Sequence, residues 1–562
     1  MIDLKSNPFY LNDKDIAWVE QTLNAMSLKE KVGHLFCPIG LSAEPSDLKA
    51  MLDEFKPAGI MFRPSDAKET QQVHKFLQQN SQVPMLIAAN LESGGNGAVA
   101  EGTEFGSQMQ VGATADPEMA AKLGAVVAEE GRAAGCNWAF APVIDIDYNF
   151  HNPITNTRTY GSDPELVGAM GKAYVEAVQA RGMATSIKHF PGDGVDYRDQ
   201  HLVLSVNTMQ PQQWDETFGQ VYQQSIDAGA LTVMAGHIAL PEYSKVLNPE
   251  LRDHQIMPAS MAPELLNDLL RDKLGFNGMI VSDATSMVGF TVMMKREQAV
   301  PLTIAAGCDL FLFNKDLKED FGFMMKGIEN GLLSMARVDE AIIRTLATKA
   351  ALGLHTRDLT AELDLSLIGC DEHKQLAVEC ADKAVTLVKN NQGILPLSLE
   401  QHSRVLLIGL GDEADMFGKK SGTIEKFQSQ LEAEGFSVSL YDTSQFTMRD
   451  MMLPVADFVA DYDVVVYAAQ FKTASNKTTL RINWARPMGV DAPWFSEEIP
   501  TVFVSFGNPY HLMDVPRVPT YINAYTGNDI TIEAVVNKLT GRSEFKGVSP
   551  VDAFVGQWDT RL

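Results

Sequence analysis

The chain has 562 residues, 45% of them hydrophobic and 21% charged, enough for two to four globular domains with sizeable cores. Its formal net charge of −26 repels polyphosphate and anionic lipid, so neither nucleic acid nor a membrane surface is an expected partner. Five scattered cysteines (Cys37, Cys136, Cys308, Cys370 and Cys380) lack CxxC spacing and suggest neither a disulfide framework nor a metal centre.

The opening MIDLKSNPFYLNDKD has no basic stretch followed by an apolar one, and nowhere do about 18 apolar residues run uninterrupted. A cytoplasmic protein is the resulting expectation. Eight short apolar runs follow in order: Val32–Gly40, Ala58–Arg63, Pro84–Asn90, Asn137–Ile146, Met183–His189, Leu231–Ile238, Met279–Asp283 and Cys308–Phe313. Helical patterns lie between them, such as Glu118–Ala134, Pro164–Arg181, Met261–Leu270 and Arg337–Leu352. Apolar strands between amphipathic helices are parallel strands buried on both faces, and eight such units predict an α/β fold of the (β/α)8 TIM-barrel type over residues 1–355. Residues 356–372 read as a linker. From 373 to 562 a second α/β block has strand candidates at Val405–Gly409, Ser437–Tyr441, Asp463–Ala468, Thr501–Phe506 and Thr520–Tyr525. It reads as an open parallel sheet with helices on both faces. Gly409–Gly411 lacks the full dinucleotide spacing, so no Rossmann cofactor is expected.

Barrel enzymes assemble their sites at the C-terminal ends of the strands, so the polar residues that end the eight runs are the candidates. The fifth run ends in SIKHFPGDG, placing Lys188 and His189 just before a loop of Pro191, Gly192 and Gly194. That composition predicts a tight, mobile loop. Asp199 and His201 follow, and residues two apart in an extended segment point the same way. Asp199 is thus placed to orient His201 and stabilise its charged form as a proton shuttle. The seventh run, GMIVSDATSM, carries Asp283 at its end, where a carboxylate is costly unless used or paired. Read alone, Asp283 is a helix cap before it is a catalytic group, since Ser282 and Thr285 are capping types too. Arg158 lies in a long loop after the fourth run, with Asp145 and Asp147 upstream, and suits either a sugar clamp or a plain ion pair. The third run ends with Asn90 and Glu92 before a glycine pair. The sixth ends at His237, which read alone is a satisfied core histidine.

KHFPGDG with a following DQH, and then VSDATSM, resemble glycoside hydrolase family 3, in the two-domain form of its β-N-acetylglucosaminidase branch. RTYGSDPELV, AAGCDLFLF, DKAVTLVKNNQGILPL and FGNPYHLMDVP extend the resemblance over most of the chain. The resemblance implies a retaining exo-glycosidase that releases terminal β-linked N-acetylhexosamine through a covalent glycosyl-enzyme. Asp283 would be the nucleophile, and His201 with Asp199 the acid/base. Lys188, His189 and Arg158 would bind the sugar hydroxyls, beside the further candidates Asn90, Glu92 and His237. The substrate would be a small amino-sugar glycoside, and no metal or organic cofactor is implied.

Two departures bear on this. Asn90 stands where the family commonly has aspartate, which leaves gluco and galacto preference open. Asp193 replaces the second histidine of KHFPGHG, where it would alter the charge of the loop or be solvated. Phosphorolysis on the same scaffold, a β-glucosidase and a catalytically silent sugar-binding relative are the competing readings. Packing on the barrel rim, part of a +1 subsite and homodimerisation are the roles open to the second domain.

Overall fold

The computed structural model describes residues 2–414, 418, 420–441, 452–484 and 489–562. The chain forms two compact units. The first comprises residues 1–104, 117–152 and 164–374; the second comprises residues 105–116, 153–163 and 375–562.

In the first unit, eight parallel strands form a closed ring: β1 (Phe36–Cys37), β2 (Gly59–Met61), β3 (Leu86–Ala89), β4 (Trp138–Ala139), β5 (Ala184–Phe190), β6 (Thr232–Ala235), β7 (Met279–Ser282) and β8 (Phe311–Leu312). Six of them, β2 to β7, make one continuous sheet. β1 and β8 pair with each other, and the bridges Ile39–Met61 and Val281–Leu310 join that pair to β2 and β7. Every apolar run singled out in this unit overlaps one of these strands, as expected for a (β/α)8 barrel. The strands are buried along their whole length, which is why they read as continuous apolar runs and not as alternating ones. Inside the ring, Trp138 on β4 donates its indole N–H to Thr232 Oγ1 on β6 at 3.0 Å, so a large ring fills the interior with its polar atom satisfied.

One buried charge cluster ties β7, β8 and the last barrel helix together. Asp309, just before β8, accepts from the Ile280 amide at 2.8 Å. It also pairs with Arg271 at 2.6 Å and Arg337 at 2.7 Å, with Arg344 at 3.8 Å. Burial alone would raise its carboxyl, but these guanidinium groups and the amide outweigh burial and hold it below 3.8.

The second unit holds a six-stranded sheet: β9 (Thr386–Asn390), β10 (Arg404–Gly411), β11 (Ser437–Leu440), β12 (Val464–Gln470), β13 (Thr501–Ser505) and β14 (Thr520–Asn523). The order is β9-β14-β13-β12-β10-β11. Alternate residues of its central strands enter two separate cores. Val405, Leu407, Val464 and Val466 pack on one face, and Leu406, Ile408, Val465 and Tyr467 on the other. The expected parallel sheet is thus present, with one correction: the edge strand β9 runs antiparallel to β14. Two stretches that precede residue 355 also belong to this unit. In one, Ser107 Oγ donates to Tyr525 O at 3.1 Å and Gln110 Nε2 to Thr531 Oγ1 at 2.9 Å. In the other, Asn156 Nδ2 donates to Asn508 Oδ1 at 3.1 Å. Among the described residues no helix is long and apolar enough to cross a membrane.

The Asp309 cluster predicts a pH-dependent stability difference. Asp309→Asn leaves three guanidinium groups facing a neutral amide and should destabilise the barrel by about 3–5 kcal/mol at pH 7. A carboxyl with a lowered folded pKa stabilises above its unfolded value of about 3.9 and loses that contribution as pH falls through the folded value. Urea midpoints of wild type and variant should therefore differ at neutral pH and converge in acid. A constant difference across the whole range would contradict this account.

Candidate active site

Asp283 follows β7 directly, and its amide donates to Ala235 O on β6 at 2.8 Å, which fixes it at the C-terminal mouth of the barrel. Its side chain is 14% exposed. Oδ1 accepts from the Ala284 amide at 2.7 Å, while Oδ2 lies 4.0 Å from His189 Nε2. Burial works to raise this carboxyl. The charges of His189, His237 and His201 and the Ala284 amide work the other way, and they hold it below 3.8. Of the three, His237 adds charge only in acid, because burial lowers its own protonation below 6.5.

His189 is anchored from behind. Asp145, near the end of the fourth apolar run, is buried and accepts at Oδ2 from His189 Nδ1 at 2.7 Å. Its Oδ1 takes the His189 amide at 3.0 Å and the Asp193 amide at 2.8 Å. With Nδ1 committed to Asp145, Nε2 is the nitrogen turned to Asp283. The register of β5 against β6 slips between Ile187 and Phe190, at the place occupied by Lys188 and His189. An irregularity of this kind re-aims side chains that would otherwise alternate across the sheet. Lys188 is buried and pairs through Nζ with Glu92 Oε1 at 2.7 Å. Asn90, at the end of β3, is exposed.

The dyad expected from Asp199 and His201 is present. Asp199 Oδ1 accepts from His201 Nδ1 at 2.6 Å and from the His201 amide at 2.8 Å. The Asp199 side chain is fully buried, while that of His201 is 24% exposed. The loop that carries them is fastened on several sides. Trp214 Nε1 donates to Pro191 O at 2.7 Å, and Asn207 Nδ2 to Gly192 O at 3.1 Å. The Val288 amide donates to His201 O at 3.0 Å, which ties the dyad to the segment after Asp283. Two glycines are required here. Gly192 and Gly194 have φ of +112° and +101°, and a Cβ on Gly194 would lie 1.9 Å from Ile146 O. Asp193 is buried, not solvated. It accepts from the Gly194 amide at 2.8 Å and from Asn152 and Gln200 side-chain nitrogens, each at 3.3 Å.

His237 has both ring nitrogens engaged, Nδ1 with Ser260 Oγ at 2.9 Å and Nε2 with Ala284 O at 3.0 Å. Its ring is fully buried, so it supports the Ala284 turn that presents Asp283 and leaves no nitrogen for a sugar hydroxyl. Arg158 closes the turn Asn156–Arg158 of the second unit, where its Nη1 donates to Ile154 O at 3.3 Å. The barrel mouth therefore gathers Asp283, His189, Lys188 and Glu92, with His201 and Asp199 on the fastened loop. Sequence reasoning passed over Asp145 as the anchor of His189. Its signal was the one that exposed Asp283: a carboxylate at the end of a buried run.

Residues 27–348 match the N-terminal domain of glycosyl hydrolase family 3, and residues 385–557 match its C-terminal domain. A beta-N-acetylglucosaminidase/beta-glucosidase of Cellulomonas fimi is 48% identical over 565 residues, covering 100% of each chain. Beta-hexosaminidase A of Pseudoalteromonas piscicida is 26% identical over 438 residues, 72% of this chain and 71% of that one. A solved structure described as beta-glucoside phosphorylase BglX bound to 2FGlc is 44% identical with a TM-score of 0.94, and the match covers 99% of each chain. The chain belongs to glycosyl hydrolase family 3, with both the barrel and the second domain of that family.

Proposed function

We propose that this chain is a retaining exo-glycosidase that releases terminal β-linked N-acetylglucosamine from small glycosides. The observation that carries the reading is a buried carboxylate held ionised at the barrel mouth, on the segment to which the loop of a histidine–aspartate dyad is tied. Asp283 Oδ1 is held by the Ala284 amide, so Oδ2 is the oxygen that attacks the anomeric carbon. Asp199 holds His201 through Nδ1, so the proton that moves is on Nε2. In the first step Oδ2 bonds to the anomeric carbon, the glycosidic bond breaks, and Nε2 gives its proton to the leaving oxygen. In the second, neutral His201 removes a proton from water, whose oxygen displaces Asp283 and restores the β-configuration. His189, the Lys188–Glu92 pair and Asn90 are the groups proposed to meet the sugar hydroxyls. The five cysteines are all free thiols, which supports a reducing, cytoplasmic setting.

A second reading is phosphorolysis, favoured by the nature of the dyad. Neutral His201 does not repel phosphate as a second carboxylate would, and the 44% identical structure is described as a phosphorylase. Phosphate oxygen would then displace Asp283 and give sugar 1-phosphate. The name of the 48% identical relative joins glucosidase to N-acetylglucosaminidase activity, so glucosides belong in the test as well.

The deciding assay uses aryl β-N-acetylglucosaminide and aryl β-glucoside, each with and without phosphate. Phosphate-independent release of N-acetylglucosamine, abolished by Asp283→Asn, is the expected result. Sugar 1-phosphate formed only with phosphate would transfer the protein to the second reading. His201→Gln should lower kcat/KM by about 10²–10⁴-fold on glycosides with poor leaving groups. Activated aryl glycosides should lose less, because they leave without a proton. A separate variant tests the anchor. Asp145→Asn turns His189 out of place and should lower kcat/KM by about 10²-fold. Unchanged kinetics in a folded variant would remove Asp145 from the positioning role.

A further inference from the structure

At the N-terminal end of the barrel, opposite the mouth that holds Asp283, lies a cavity of about 340 Å³. Cys136 and Asn137 lead from its wall into β4, and Gly182 leads into β5. The segment from Leu354 to Leu367 forms its outer side. Gln71 fastens that segment, with Nε2 donating to Leu363 O at 3.0 Å, and Lys75 pairs with Glu362 at 2.8 Å.

Three arginines converge on this cavity in a chain whose net charge is −26. Arg181 is paired with Glu129 at 2.9 Å. Arg132 Nη1 donates to Arg181 O at 2.5 Å, and Arg357 lies against Gly182, where a Cβ would be 3.0 Å from its Nη2. Arg132 and Arg357 are close enough for their charges to oppose one another. Burial first, and Arg357 second, make the Arg132 cation less favourable. Among the described residues, no carboxylate pairs with either of these two.

The acids in the wall are committed elsewhere. Glu129 takes Arg181 and His373; Asp358 accepts from the Thr360 amide at 2.9 Å, and Asp364 from the Ser366 amide at 2.9 Å.

Two like charges facing each other without a counter-ion are relieved by an anion placed between them. Guanidinium forks match the oxygens of a phosphate group in pairs. Leucines 354, 359 and 363 line the rest, and the volume suits a small ligand. We propose that this cavity binds a small phosphate monoester, with Arg132 and Arg357 holding the phosphate and the leucines covering the ester group. The bound ligand would brace residues 354–367, the stretch that leads towards the second unit.

Amide hydrogen exchange of the full chain tests this, because it locates the ligand. The probes are glycerol 3-phosphate, inorganic phosphate, and chloride at matched ionic strength. Glycerol 3-phosphate should slow exchange in residues 354–367, inorganic phosphate more weakly, and chloride not at all. Arg132→Gln and Arg357→Gln should each weaken the effect roughly tenfold or more, as loss of charge-assisted hydrogen bonds implies. Turnover of aryl glycosides should be unchanged in both. The Arg357 side chain is exposed and makes no hydrogen bond among the described residues, so its variant decides the matter if Arg132→Gln does not fold. Equal protection by inorganic phosphate and by the ester would reduce the site to free phosphate and overturn the ester part. No protection, equal protection by chloride, protection confined to residues 189–201, or undiminished protection in the variants would overturn the site itself.

Discussion

An ionised carboxylate at the end of a buried strand is unfavourable unless its surroundings supply the charge and hydrogen bonds that water would have given. Asp283 is in that position, and the barrel mouth is arranged around it. The Ala284 amide takes one oxygen, and His189 stands 4.0 Å from the other. Each histidine near it is held by something deeper. Asp145 holds His189, Asp199 holds His201, and Ser260 with the Ala284 carbonyl holds His237. The two carboxylate-held rings are oriented with Nδ1 backwards and Nε2 outwards, the arrangement a group needs to deliver a proton or steady an anion. His237 differs, because both its nitrogens are satisfied by the protein. Its contribution is to shape the turn after β7.

That constraint reaches into the scaffold. Asp283 can be presented only if β7 is held in register with β6 and β8. The Asp309 cluster does this on the β8 side, because one carboxylate takes the Ile280 amide together with guanidinium groups from the helix before β7 and from the last barrel helix. On the other side, the loop with the dyad is tied by backbone hydrogen bonds to the segment after Asp283. A barrel suits this arrangement, since strand ends converge on one mouth while the loops remain separate contributors.

Much of this was legible in the sequence because buried parallel strands leave continuous apolar runs, and a polar residue that ends such a run stands out. Asp283, Lys188 and His189 were visible for that reason. The Asp199–His201 dyad was visible because its members are only two residues apart. Asp145 satisfied the same test as Asp283, but its partner is 44 residues away, and one-dimensional spacing does not show that pairing. The edge strand β9 was missed because TLVKN lacks the fully apolar character of a central strand, and three of its five residues are only partly buried. The excursions at 105–116 and 153–163 were illegible because nothing in a loop's composition says which core it joins. The arginine-lined cavity brings together residues 132, 181 and 357, whose proximity only the fold creates.

The central claim is that Asp283 is the nucleophile of a double displacement. Incubation with an activated 2-deoxy-2-fluoro β-glucoside, followed by peptide mass spectrometry, addresses it most directly, because the fluorine slows the second step and leaves the sugar on the enzyme. The account predicts one sugar per chain, attached to the peptide that contains Asp283 and released on addition of water-competing acceptor or phosphate. A sugar attached to any other carboxylate, or complete turnover with no covalent species under conditions that trap one, would contradict it.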